Sequence, residues 1–293
     1  MTKRVLKNFC IILYISLSTT SVMAGGNAPE KLWEVDGLNN PESVVYDPVN
    51  DVLYVSNING ASDEKDGNGF ISKISLGGKI INKKWVTGLD APKGLAIANN
   101  KLYTADIDTL VEIDIPDSSI SNRYTIADAK FLNDVATSPR GQVFVSDTVM
   151  NRVHSLDEGK FSIWLESPGL LNPNGLYVQD NNLIVGAWGV MTDGFNTETP
   201  GHLLSISLAD KSIHTIGDGS AVGNLDGVEE DADGSFYVTD WMAGRLFHIS
   251  PAGEVKLLLI FEKGLADLEL LPDKGLILLP MMMNNKLLAY RIY

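Results

Sequence analysis

A motif repeated six times along the chain restricts the fold more than any other feature of the sequence. Each copy starts with a short turn and an apolar strand. The starts read Pro41-Glu42-Ser43-Val44-Val45, Pro92-Lys93-Gly94-Leu95-Ala96, Leu132-Asn133-Asp134-Val135-Ala136, Pro173-Asn174-Gly175-Leu176-Tyr177, Leu225-Asp226-Gly227-Val228 and Ala266-Asp267-Leu268-Glu269-Leu270. A polar turn and a second strand of β-forming residues follow, over 52–56, 101–105, 142–146, 182–186, 235–239 and 275–279. A third strand comes next, as in Phe70-Ile71-Ser72-Lys73-Ile74, and a fourth, as in Ser162-Ile163-Trp164, leads into the following copy. Self-similarity at this period marks a solenoid or a propeller, and four antiparallel strands per copy select the propeller. The sequence thus predicts an all-β fold, a six-bladed β-propeller occupying residues 25–293 as one domain. The sixth copy shows three strands, whereas Lys31-Leu32-Trp33-Glu34-Val35 stands unmatched ahead of the first. That segment is expected to complete blade six, closing the ring and covering its open edge.

Ahead of the repeats, Lys3, Arg4 and Lys7 precede an apolar run over 9–17, and Val22-Met23-Ala24 supplies the small residues of a cleavage site. Residues 1–24 read as a signal peptide, too short for a membrane anchor, which predicts a periplasmic or secreted protein. The only cysteine, Cys10, falls inside that segment, leaving the mature chain without thiol chemistry. A formal net charge of -14 argues against nucleic acid and anionic membrane surfaces as partners. A small-molecule substrate or ligand is the expected partner.

One position after each blade-to-blade turn is polar throughout: Glu42, Lys93, Asn133, Asn174, Asp226 and Asp267. In a propeller the inner strands line the central channel, so these residues face one axial point. Carboxylates gathered there repel one another and lose hydration, a cost that a hard cation relieves. Glu42, Asn133, Asn174 and Asp226 offer only oxygen ligands, which suits calcium or magnesium better than zinc or copper. Calcium is favoured because it tolerates irregular geometry, with magnesium, manganese and zinc as alternatives. Singly, Asn174 and Asp226 before glycine read as turn residues. Four oxygen ligands at equivalent positions read as a metal site. Lys93 and Asp267 complete the ring as candidate substrate contacts.

The same phrases, in this order and at blade spacing, resemble the senescence marker protein/gluconolactonase family, which includes regucalcin-like lactonases. Calcium-dependent organophosphate hydrolases are structurally similar relatives of that family. The resemblance implies that Glu42, Asn174 and Asp226 ligate the metal, that Asn133 is a further ligand or a substrate contact, and that Asp226 doubles as base or nucleophile. It implies a metal-dependent hydrolase of a lactone or related ester. Sugar-lactonase members carry an arginine two residues before the asparagine that matches Asn133, and Phe131 stands there in this chain. An apolar side chain at that place either contacts a less polar substrate or packs between blades. The alternative reading, from another class, is a noncatalytic propeller that binds a ligand or protein and uses calcium as a structural pin. A metal-free relative of strictosidine synthase is disfavoured by Glu42 and Asp226.

Two connections between second and third strands are long: 58–69, with Asp63, Glu64, Asp66 and Asn68, and 187–201, with Trp188, Asp193, Phe195 and Asn196. Strand polarity puts both on the face of the polar ring, and Trp188 is an expected substrate contact. The acidic stretch of the first is too short for an EF-hand loop and reads as a solvated turn. Asp106, Asp147 and Asp240, which recur after second strands, are expected to accept hydrogen bonds from turn amides. Met281, Met282 and Met283 read as blade packing. His154, His202, His214 and His248 all lie away from the ring, against histidine-based lyase or haem chemistry.

Overall fold

The computed structural model describes residues 28–293, so the expected signal segment with Cys10 lies outside the described residues. The chain builds six four-stranded antiparallel sheets in a closed ring, the first five following chain order from the axis outward. Blade one is formed by Pro41–Asp47, Val52–Asn57, Gly69–Ser75 and Ile80–Leu89. The inner strands of the next four blades are Pro92–Ala98, Leu132–Thr137, Pro173–Gln179 and Leu225–Glu230. Blade six combines Glu269–Leu271, Leu276–Met281 and Lys286–Arg291 with the N-terminal strand Glu30–Asp36 as its outer member. Glu34 pairs with Leu288 and Asp36 with Lys286, so the expected ring closure is present.

Period-two alternation explains why the blades stack. In the strand Val52–Asn57, Leu53 and Val55 pack against Leu276, Leu278 and Leu287 of blade six, while Val52 and Tyr54 pack against Leu95, Leu102 and Val111 of blade two. Each remaining junction holds an apolar cluster of the same kind. Burying one such side chain is worth about 1.5–3 kcal/mol, so stability is spread around the ring rather than held in one core.

Five inner strands begin with a bulge. Pairing runs Pro41 to Asn57 and then Val44 to Val55, and the same shift occurs between Pro92 and Leu95, Leu132 and Val135, Pro173 and Leu176, and Leu225 and Val228. Bulges re-aim side chains, and here they turn the ring residues towards the axis. Hydroxyls of the second strand take up amides freed by the bulge, as Ser56 Oγ accepts from Ser43 at 2.9 Å, Ser146 Oγ from Asp134 at 2.9 Å and Thr239 Oγ1 from Gly227 at 2.8 Å. Blade six departs from the pattern, because its inner strand starts at Glu269, after Asp267. Among the described residues no helix is long and apolar enough to cross a membrane.

Candidate functional site

The turns that deliver the ring are clamped from the ends of the second strands. Asp106 Oδ1 accepts from the Ala91 amide at 2.7 Å, and Asp147 accepts from Lys130 at 3.0 Å and Phe131 at 3.1 Å. Asn57 Oδ1 serves the Asn39 amide in blade one at 2.9 Å. Asp240 accepts from Ala243 at 3.1 Å in the turn beyond its own strand, and the amide of Asn224, in the turn before Asp226, also favours its charged form. These carboxylates hold backbone. None of them lines the cavity.

The glycines that follow ring residues are explained by the neighbouring blade. A Cβ on Gly175 would lie 1.8 Å from the Asp226 carbonyl oxygen, and one on Gly94 would lie 2.3 Å from Asp134 Oδ1. Neither residue has positive φ, so close approach rather than tight-turn geometry accounts for Asn174-Gly175 and Lys93-Gly94.

Glu42, Lys93, Asn133, Asn174 and Asp226 all reach the floor of one cavity of about 280 Å³. All five are buried, with Glu42 5% and Lys93 1% exposed. Asn133 Nδ2 donates to Asn174 Oδ1, and the amide of Asn174 in turn bonds Asp226. Glu42 Oε2 and Asn133 Oδ1 have no hydrogen-bond partner although both are buried. Such atoms cost about 1–3 kcal/mol each, more when charged, unless something meets them. Burial, and then the charges of Asp226 and Asp267, push the Glu42 carboxyl well above the usual carboxylate range. Burial followed by Asp267 does the same to Asp226. Two unpartnered oxygens of hard character beside carboxyls held away from ionisation fit a divalent cation bound by Glu42, Asn133, Asn174 and Asp226. The ring's own cation is Lys93, whose Nζ donates to the Ala91 carbonyl at 3.1 Å and stands 4.5 Å from the Phe131 ring centroid. Burial pulls its ammonium down to about 8, against the opposing pull of Glu42.

Asp267 is placed differently from the other five. It does not line the cavity; Ser43 Oγ donates to its Oδ2 at 2.6 Å, and its amide donates to the Glu42 carbonyl at 3.0 Å. Burial pushes its carboxyl up to about 7. Asp134, absent from the candidates, is the acid that shares this layer. Its oxygens accept from Val135 at 2.7 Å and Leu176 at 2.6 Å, bridging blades three and four beneath the ring. Its repeat equivalents are Ser43, Gly94, Gly175, Gly227 and Leu268, so repeat comparison gave no hint of it.

Above the polar floor stands a second ring of equivalent residues, one just beyond each second strand: Ile58, Ile107, Thr148, Trp188, Trp241 and Met282. All but Ile107 line the cavity, with Met242, Lys263 and Met283 beside them. Both long connections reach it, through Ser62 on one side and Phe195 and Asn196 on the other. In the second connection Gly189–Met191 pairs with Thr197–Pro200 as a small hairpin. Phe131 lines the cavity and meets Phe195, with ring centroids 5.0 Å apart. Met281 packs within a blade junction and Met282 packs against Ile58, Ala91 and Ile107, while Met282 and Met283 also line the cavity from the 3-10 turn that follows the second strand. No histidine lines the cavity. Asp231, Asp233 and His248 do bring ligand atoms within 4.8 Å of one another, at a partly exposed turn of blade five, where Asp231 and Asp233 cap the amides of Ala232 at 2.7 Å and Ser235 at 2.9 Å.

No family model matches the chain, and no curated protein matches it in sequence. Among solved structures it is similar to a gluconolactonase from Xanthomonas campestris, with 12% identity, 91% of this chain and 95% of the other covered, and a TM-score of 0.67. A second protein assigned as a gluconolactonase is 17% identical over 92% of this chain and 93% of its own, with a TM-score of 0.65. Virginiamycin B lyase from Staphylococcus aureus is 13% identical over 90% and 99%, with a TM-score of 0.62. At these identities the likeness establishes the six-bladed propeller fold.

Proposed function

We propose that this protein is a metal-dependent hydrolase of lactones or related esters, acting outside the cytoplasm, with calcium held by Glu42, Asn133, Asn174 and Asp226. The observation that carries the reading is the pair of unpartnered buried oxygens, Glu42 Oε2 and Asn133 Oδ1, on the floor of an open cavity beside Asp226. The likeness of fold to gluconolactonases supports it. When bound, the cation supplies Lewis-acid polarisation of the scissile carbonyl and compensates the crowded carboxylates. Asp226, with one side chain bond to the amide of Asn174, is the group placed to accept a proton from water or to attack the acyl carbon. Glu42 lies against the same charges but answers to Lys93 as well, which suits it to holding the cation. The aromatic wall and the small hairpin of Gly189–Met191 and Thr197–Pro200 border the cavity where the rest of the substrate would lie.

Chelator-stripped protein is expected to lose hydrolysis of a lactone panel and to regain it with calcium. Activity that survives Asp226→Ala, or that is missing with calcium restored, overturns the hydrolase reading. Loss of thermal stability on chelation with no turnover of any substrate would favour the noncatalytic propeller instead.

A further inference from the structure

Resting on the hydrolase reading, we propose that the cavity takes lactones or esters with a flat aromatic body, and that the arc Phe131, Phe195, Trp188 and Trp241 selects them. The four rings form a continuous wall from blade three, through the hairpin of blade four, to blade five. Phe131 and Phe195 lie 5.0 Å apart at 58°, Phe195 and Trp188 6.0 Å apart at 73°, and Trp188 and Trp241 6.1 Å apart at 48°. Such tilted arrays receive a further ring edge-on or offset with favourable quadrupole contacts. Phe195 is 38% exposed, so a ligand seated against it removes apolar surface from water.

Several polar groups beside the wall already have partners within the protein. Asn172 Nδ2 donates to the Thr148 carbonyl at 2.7 Å, Asn224 Nδ2 to the Trp188 carbonyl at 2.8 Å, and Asn196 Nδ2 to the Asp193 carbonyl at 3.0 Å. The indole nitrogen of Trp188 donates to the Phe195 carbonyl at 2.9 Å. A sugar lactone brings several hydroxyls, and each one buried without a partner lowers its affinity. An aromatic lactone brings none. The ammonium groups of Lys93, 4.5 Å from the Phe131 centroid, and Lys263, 4.9 Å from that of Trp241, turn the cavity away from cationic substrates.

The test compares dihydrocoumarin with δ-gluconolactone on the full calcium-loaded protein, measuring kcat/KM above the spontaneous rate. Dihydrocoumarin is expected to be preferred by about tenfold or more, and Phe195→Ala and Phe131→Arg are each expected to narrow that ratio by about tenfold, chiefly through KM. Phe195 stands on an exposed loop, which keeps one variant clear of the blade cores. Equal or better turnover of δ-gluconolactone overturns the inference, as does a ratio that neither substitution moves. If neither lactone is hydrolysed, the hydrolase reading fails and tryptophan fluorescence decides the inference separately. Quenching of Trp188 and Trp241 by dihydrocoumarin but not by δ-gluconolactone supports it. No quenching by dihydrocoumarin overturns it.

Discussion

The floor and the wall of the cavity both draw on rings with one equivalent residue per blade, five of the six lining the cavity in each, yet they differ in almost every physical respect. The floor, Glu42, Lys93, Asn133, Asn174 and Asp226, is polar, buried and short of hydrogen-bond partners. The wall, led by Ile58, Trp188, Trp241 and Met282, is apolar. Backbone bonds tie the two registers together: the amide of Thr148 donates to the Phe131 carbonyl at 3.1 Å, that of Trp188 to Asn172 at 2.9 Å and that of Trp241 to Asn224 at 3.1 Å. A closed scaffold thus carries two rings at fixed separation whose side chains vary independently. On the proposed reading, charge and metal affinity would belong to the floor and selection among substrates to the wall.

The strongest way to break this division is at Asp226. Asp226→Asn keeps the size of the side chain and removes its basicity, and is expected to lower kcat by about 10²–10⁴-fold while changing dihydrocoumarin binding little. A comparable loss in affinity would mean that floor and wall are not separate. Gly175→Ala attacks the scaffold between them, since its methyl meets the Asp226 carbonyl oxygen at 1.8 Å. It should cost about 3 kcal/mol, a melting temperature lower by roughly 6–12 °C by calorimetry.

A smaller effect is expected from pH. Asp267, pushed up to about 7, keeps its proton in the folded state where the unfolded chain has released it near pH 4. The folded protein therefore binds more protons between about pH 4 and pH 7, and metal-free protein should lose stability as pH rises through that window. Glu42 and Asp226 add to the loss with the same sign. Melting curves from pH 5 to pH 8 should show the decline, with a shallower slope in Asp267→Asn; stability that rises with pH contradicts the assignment. The smallest change is expected from Asp147→Asn, which weakens the hold on the amides of Lys130 and Phe131. About 1 kcal/mol of stability should go, with KM rising more than kcat falls.

The propeller and its floor were legible in the sequence for one reason: polar residues at equivalent places in six apolar repeats stand out. The same comparison picks Asp106 and Asp147 as clamps, and the structure shows both holding amides. The wall was hidden because Ile58, Trp241 and Met282 look like core in any one repeat. Their register just beyond the second strand, shared with Trp188 and Thr148, was the available signal. Asp134 was hidden for the opposite reason, as its equivalents are serine, glycine or leucine and its role comes from crossing to Leu176 in the next blade. Phe131 packs at the cavity rather than between blades because Asp147 fixes its amide and Phe195, from a distant hairpin, meets its ring.

Calorimetric titration of calcium into chelator-stripped protein, with Glu42→Gln alongside, tests the central claim most directly. Saturable binding at one site, accompanied by a raised melting temperature and lost or strongly weakened in Glu42→Gln, is the predicted result. Absence of binding, or binding unaffected by Glu42→Gln, would contradict a cation site on the propeller axis.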